Sequence, residues 1–267
     1  MKKLITLVLT AALLLASLFT FASCENPNPE DTLVCGVTPV PGLNEQLPDG
    51  SWTGFDTEFA MAVAEKLGMK IKFVEINWEQ KYNEVNSGAI DAIWNGFTAN
   101  SSDDGVARKD LVDFSYGYML NQQCIVVKKD RVEEFVDEAA LEGKKACAES
   151  GSAGQAYAES VTDEAKVEGA STQLATFLEV SSGAVDFAVV DIVLAQNVCG
   201  KGDYEDLAIV EAIELESEVY AVGFKKNSEL TAKVNAAILE LEEDGTLAAL
   251  AEKYGFENVV KVMKTFE

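Results

Sequence analysis

The chain of 267 residues contains no histidine at all. That excludes catalytic triads built on imidazole, histidine metal ligands and imidazole proton shuttles. Basic residues are scarce, with 21 Lys+Arg against 45 Asp+Glu and a net charge of −24. So acidic a surface repels nucleic acid and anionic lipid headgroups, and there is no basic run to override it. Proline is rare too, at 5 residues, while 48% of the chain is hydrophobic. That is too apolar for disorder and enough for one or two buried cores. None of the 5 cysteines shows C-x-x-C spacing, which argues against a zinc or thiol-redox motif. No metal and no cofactor is expected. Cys35, Cys124, Cys147 and Cys199 allow three pairings that the sequence does not choose between, and buried thiols with at most one bridge are expected.

Long apolar runs are confined to the start of the chain. Lys2 and Lys3 precede the uncharged stretch Leu4 to Phe21, which leads into Ala22-Ser23-Cys24. The pattern is that of a secretory signal. The tripeptide before Cys24 resembles a bacterial lipobox, with Phe21 where Leu is usual. It implies cleavage before Cys24 and lipidation of its thiol. Residues 1–23 are therefore expected to be a lipoprotein signal peptide and 24–31 a polar, proline-bearing tether. The body of the protein is expected outside the cytoplasmic membrane, on its outer face, held by the N-terminal lipid.

The body alternates strands and helices. Strand signals cover Leu33–Thr38, Ile71–Ile76 and Ala89–Trp94, and helices fall between them. The first helix is expected to open at Asp56 as N-cap and to stop at Gly68; the second carries Tyr82 and Val85 and stops at Ser87-Gly88. The plan recurs with a strand at Lys145–Ala148, helices at Gln155–Ser160 and Thr172–Val180, and a strand at Val185–Val190. A strand over Tyr220–Phe224 and helices over Leu230–Leu241 and Thr246–Tyr254 close the chain. Such alternation points to parallel sheets covered on both faces.

One stretch occurs twice. Residues 84–91 read EVNSGAID and residues 179–186 read EVSSGAVD. Each marks a helix end, a glycine turn and a buried strand. Ligands of open α/β sheets bind beyond the carboxyl ends of the strands. Two equivalent units therefore suggest two facing half-sites, with Asn95-Gly96-Phe97-Thr98 on one side and Asp191 on the other.

In order along the chain, the stretches 49–69, 76–98 (INWEQKYNEVNSGAIDAIWNGFT), 112–119 (VDFSYGYM), 141–154 (LEGKKACAESGSAG), 181–191 (SSGAVDFAVVD) and 241–255 resemble the family 3 extracellular solute-binding proteins, the polar amino acid receptors of ABC importers. The resemblance implies an α/β, two-lobed periplasmic-binding-protein-like fold of type II. Its sheets are rich in parallel strands, with helices on both faces and a two-stranded hinge. Lobe 1 would be 32–119 plus 223–267 and lobe 2 would be 123–217. It further implies a monomer that binds a free amino acid between its lobes, hands it to a membrane permease and catalyses nothing.

A free amino acid is a zwitterion, and neither charge can be buried unpaired. For the carboxylate the candidate is Arg108, whose guanidinium matches a carboxylate bidentately. The resemblance places it before Val112-Asp113-Phe114-Ser115, although residues 99–107 form an expanded loop. The turn at Gly151-Ser152-Ala153-Gly154 would add backbone N–H donors from Ser152 and Ala153, with Ala153 standing where the family has a hydroxyl. For the ammonium the candidate is Asp191, with Thr98 and the Asn95 and Gly96 backbone as further acceptors. An N-cap role for Asp191 competes. Trp78 is expected to form one wall for the ligand side chain, with Val40 or Leu43 opposite and Gln123 as a weaker polar neighbour. Two rival functions were weighed. An enzyme on the same fold would need a general acid or base in the cleft, commonly a Glu or His; His is absent, and none of the expected cleft positions is a Glu with an evident base partner. A sensory module would call for a fused signalling domain.

Overall fold

The computed structural model describes residues 32–266. Residues 1–31, with Cys24 and the expected signal and tether, lie outside the described residues.

Two sheets organise the chain. The first uses β1 (Thr32–Val37), β2 (Lys70–Glu75), β3 (Ala92–Ile93), β4 (Asp113–Phe114) and β11 (Gly223–Phe224), in the order β2-β1-β3-β11-β4. The second is built on β5 (Gly117–Lys128), β6 (Ala146–Glu149), β7 (Val167–Ala170), β8 (Phe187–Asp191) and β9 (Leu207–Ile209), in the order β7-β6-β8-β5-β9. The strand that opens each parallel unit, β1 or β6, lies between the two that follow it, β2 and β3 or β7 and β8, so both sheets carry a crevice where strand order reverses. Pairing is parallel between β1 and β3, β6 and β7, and β6 and β8, and antiparallel where β5 meets β8 and β9.

The strand β5 links the two halves. Its first part pairs with β10 (Ser217–Tyr220), Tyr220 facing Met119 and Ser217 facing Gln122. Its second part pairs with β8, Asp191 facing Gln123. The expected single strand over Tyr220–Phe224 is therefore two strands, β10 and β11, in different sheets. Between them the Ala221 N–H donates to Phe97 O at 3.0 Å and the Val222 N–H to Ser115 Oγ at 2.9 Å, which turns the chain from one sheet to the other.

Helix α1 (Phe55–Lys66) buries Phe55, Phe59, Ala60 and Val63 on one face. Phe59 meets the edge of Trp94 at 5.5 Å between centroids, an arrangement favoured by the ring quadrupoles. The expected N-cap is corrected here. Gly54 (φ 109) holds that position and Asp56 sits in the first turn, fully buried. Gly54 must stay bare because a Cβ there would lie 2.3 Å from the Leu43 carbonyl oxygen. Asp56 turns inward and accepts from Gly96 N–H at 2.7 Å and Tyr118 OH at 2.8 Å.

The repeated octapeptide builds the same object twice. Helices α2 (Lys81–Ser87) and α5 (Gln173–Ser182) end on Gly88 (φ 80) and Gly183 (φ 78), both left-handed. The Ser87 and Ser182 hydroxyls each donate to the glutamate carbonyl three residues back at 3.0 Å. Asp91 then accepts from the Val34 N–H and Asp186 from the Lys145 N–H, each at 2.9 Å. The Asp91 and Asp186 N–H groups return the bond to the same two residues at 2.8 Å. In each half this aspartate pins the third strand beside the first.

Candidate ligand-binding cleft

The ends of these strands meet at one small cavity of about 10 Å³. Trp78, Asn95, Gly96, Thr98, Arg108, Ser152, Ala153 and Asp191 all line it, together with Gln123, Glu149 and Gln173. The eight residues expected from the sequence are thus neighbours, although they come from both sheets.

Arg108 reaches the cavity because the loop before it folds back. Ser102–Asp103 pairs with Val106–Ala107 in a short ribbon, which absorbs the extra residues. Arg108 then opens the short helix α3 (Arg108–Leu111) and is 1% exposed. Its Nε donates to Asp103 Oδ1 at 2.9 Å and its Nη1 to Thr98 O at 3.2 Å. Nη2 stands 2.8 Å from Asp103 Oδ1 as an ion-pair contact, but its N–H bonds are not directed at any acceptor. The guanidinium lies 5.1 Å from the Phe97 ring. It is therefore fixed in place and still holds free donors.

Asp191 occupies the N-cap position of α6 (Ile192–Val198), yet its side chain makes no capping bond. The competing N-cap role is thereby corrected. Its carboxylate turns to the side-chain amides of three residues. Oδ1 accepts from Asn121 Nδ2 at 2.8 Å and Gln123 Nε2 at 2.6 Å, and Oδ2 accepts from Gln173 Nε2. The Asp191 N–H answers Gln173 Oε1 at 2.9 Å. Glu218 shares the same donors, accepting from Asn121, Gln123 and the Thr98 hydroxyl at 2.8, 3.0 and 3.1 Å. Burial pushes Asp191 up and the amides oppose it. Burial and the Asp191 charge push Glu218 up. Amides orient a carboxylate without neutralising it, so this pair still calls for a cation.

The remaining expected residues have mixed duties. The Asn95 side chain is spent on Thr38, whose N–H it receives at 2.8 Å, so only its backbone is free for the cavity. Gly96 (φ 57) is pressed against Tyr220, whose ring a Cβ would approach to 2.9 Å. Ser152 caps α4 (Ala153–Val161), its Oγ accepting from the Gln155 N–H at 3.0 Å. Trp78 is 5% exposed and packs edge-on to Phe97 at 5.4 Å. Val40 and Leu43, expected opposite Trp78, are buried in the first core and do not line the cavity.

Glu149 and Gln173 were not foreseen. Glu149 ends β6 and is 2% exposed. It adds to the cavity a Glu that was not among the expected cleft positions. Gln173 follows the N-cap Thr172, a place where any polar residue suits, so nothing in its context marks it as a cleft residue. The four cysteines Cys35, Cys124, Cys147 and Cys199 are free thiols, the first three buried. Among the described residues no group of three acidic or cysteine side chains is arranged to hold a metal ion, and no helix is long and apolar enough to cross a membrane.

Two α/β halves, a hinge-like strand pair and a charged cavity between them define a two-lobed solute-binding protein. The model of the bacterial extracellular solute-binding proteins, family 3, matches residues 33–258, and the chain belongs to that family. The chain is 31% identical over 276 residues to the probable amino-acid-binding protein YxeM of Bacillus subtilis, covering 99% of both chains. It is 29% identical to the L-cystine-binding protein TcyA of the same organism, over 78% of this chain and 75% of that one. Among solved structures, an ancestral arginine-binding protein bound to arginine superposes with a TM-score of 0.76 at 32% identity, over 84% of this chain and 98% of that one. These named relatives are binding proteins.

Proposed function

We propose that the protein is the extracytoplasmic receptor of an ABC importer, binding one free amino acid between its lobes and presenting it to a membrane permease. The observation that carries this reading is that Arg108 and Asp191 line one cavity, opposite charges supplied by the start of α3 and the end of β8. Arg108 takes the α-carboxylate, helped by the Ser152 and Ala153 N–H groups. Asp191 takes the α-ammonium, with Thr98 and the Asn95 and Gly96 carbonyls beside it. Trp78 flanks the side chain. Lobe 1 comprises 32–119 and 223–267 and lobe 2 comprises 123–217, so closure brings Asp191 and the Ser152 turn onto a ligand resting on lobe 1. The chain acts as a monomer. Residues 1–23 are removed and Cys24 carries the lipid that holds the protein at the outer face of the membrane.

The test is a thermal-shift screen of the purified protein against the twenty amino acids, ornithine, citrulline and cystine. A ligand that binds only the folded state at a hundredfold excess over Kd adds ~2.7 kcal/mol of stability. One clear hit, confirmed by calorimetry, is expected. A folded protein that responds to none of them rules the reading out. Metabolic labelling with palmitate tests the anchor, and Cys24→Ala abolishes labelling if the thiol is the acceptor.

One observation favours an enzyme on the same fold, namely Glu149, a buried carboxyl in the cleft of the kind that serves as a general acid. Chromatography of each bound ligand after prolonged incubation decides it, because a receptor returns the ligand unchanged.

A further inference from the structure

Two carboxylates line the cavity, Asp191 and Glu149, and only Glu149 has a buried oxygen, Oε1, left without a hydrogen bond. The nearby cations are committed elsewhere. Lys81 donates to Gly151 O at 2.9 Å and stands 3.5 Å from Asp103 Oδ2. Arg108 is held by Asp103 and Thr98 O. A zwitterion needs one anion and one cation from its receptor, and Asp191 with Arg108 already supplies both. Glu149 is therefore surplus to what an α-amino acid head group requires.

The approach to the cavity carries the same sign. Through Thr98, Gln123 and Ala153 it adjoins a wider cleft lined by Glu138, Glu214, Glu216 and Glu218, with no basic residue among its walls. An acidic cleft raises the local concentration of cations and disfavours anions. The charge inside and the charge at the entrance thus agree.

We infer that Glu149 is the counter-ion for a second cationic group on the ligand, so that this receptor selects amino acids bearing a basic side chain over neutral ones. The inference rests on the amino acid receptor reading above. A neutral side chain would leave the carboxylate unpaired in a closed cavity, or force it to take up a proton. An ammonium or guanidinium satisfies it directly.

The decisive comparison uses L-arginine and L-citrulline, which share a shape and differ in charge, with L-lysine, L-ornithine, L-glutamine and L-cystine beside them. Calorimetry on the wild-type protein should show the best basic ligand binding roughly 10- to 100-fold tighter than its neutral counterpart, the range of a charge-assisted hydrogen bond. Glu149→Gln should erase that preference by weakening the basic ligand while leaving citrulline or glutamine bound at least as tightly. The wild-type ratio decides the matter even if the variant fails to fold. Tight binding of glutamine, citrulline or cystine over every basic amino acid overturns the inference and leaves the receptor reading standing. Binding of no amino acid by folded protein overturns the receptor reading itself.

Discussion

The ammonium of Lys81 donates to the carbonyl oxygen of Gly151 at 2.9 Å, joining helix α2 beside the first sheet to the turn that follows β6 in the second. The same ammonium stands 3.5 Å from Asp103 and lies over the rings of Trp78 and Tyr82, at 5.2 and 4.6 Å. A lysine only 1% exposed is costly to bury, and it is tolerated here because each side of the bond supplies an acceptor or a π-face. In the two-lobed reading this bond exists only when the lobes are together. Lys81→Met keeps the stem and removes the bond. It should weaken the amino acid by about tenfold, the range of one charged hydrogen bond, chiefly through faster release. Stopped-flow dissociation checks this. An unchanged off-rate would show that Lys81 does not hold the closed form.

Asp191 tests the site itself. Its side chain makes no bond to the N-terminus of α6, so removing the charge sacrifices no cap. Asp191→Asn keeps an oxygen for Asn121 and Gln123 and deletes the anion. Binding should fall by about 100-fold or more, since a buried charge pair costs 2–5 kcal/mol when one partner is lost. The melting temperature of the ligand-free protein should change little, because relief of the burial penalty is offset by the Gln173 Nε2 donor left facing an amide nitrogen. Full affinity in a folded Asp191→Asn protein would remove Asp191 from the site.

The parts that could be read from the sequence are those where a local rule and the fold agree. The doubled EV-x-SGA-x-D marked two helix ends because a left-handed glycine, a serine and an aspartate each have a backbone duty there. Asp191 stood out as a carboxylate ending an apolar strand. Other features depended on partners far along the chain. Asp56 looks like an N-cap until Tyr118 and Gly96 draw it inward. Tyr220–Phe224 looks like one strand because its apolar pattern is unbroken, and only the bonds to Phe97 and Ser115 divide it. Glu149 gave no signal, since a glutamate before Ser-Gly-Ser reads as an ordinary solvated turn. The length of loop 99–107 gave no hint that a ribbon would return Arg108 to the cavity.

The two copies of the repeat share a form but differ in exposure, so their energies should differ. Asp91→Ala and Asp186→Ala each free a backbone N–H, at Val34 in β1 and at Lys145 just before β6. Asp91→Ala should cost about 1–3 kcal/mol in chemical denaturation, the penalty of a donor left unsatisfied, and Asp186→Ala about 0.5–1.5 kcal/mol, because the exposed Lys145 N–H can turn to water. Asp186 also meets Arg131 at 3.0 Å, a half-exposed pair that adds well under 1 kcal/mol. The double variant should show the sum, because the sites lie in different sheets and share no partner. A marked departure from additivity would mean that the halves do not hold their crevices independently.

The buried acids fix the sign of the pH response. Burial pushes Asp56 up to about 7, and burial with the Asp191 charge pushes Glu149 up to about 8. Glu149 faces Asp191 from β8, Lys81 from α2 and the Gln173 N–H from α5, and the last two only partly offset the rise. The unfolded chain gives up these protons near pH 4, whereas the folded protein keeps them to pH 7 or 8. Stability that is complete below about pH 4 is therefore lost as the pH climbs through 7 and 8. Asp103 has the opposite sense, since Arg108 and Lys81 outweigh its burial and hold it low, but its effect falls below about pH 4. The ligand-free protein should melt at a lower temperature at pH 8 than at pH 5, and Glu149→Gln should flatten the difference. A basic ligand reverses the pattern. It favours ionised Glu149, so binding releases a proton and affinity should climb between pH 6 and 8, by at most about tenfold per pH unit. Calorimetry in buffers of different ionisation enthalpy counts that proton. If no proton is released and the Kd does not change with pH, Glu149 does not face the ligand's charge.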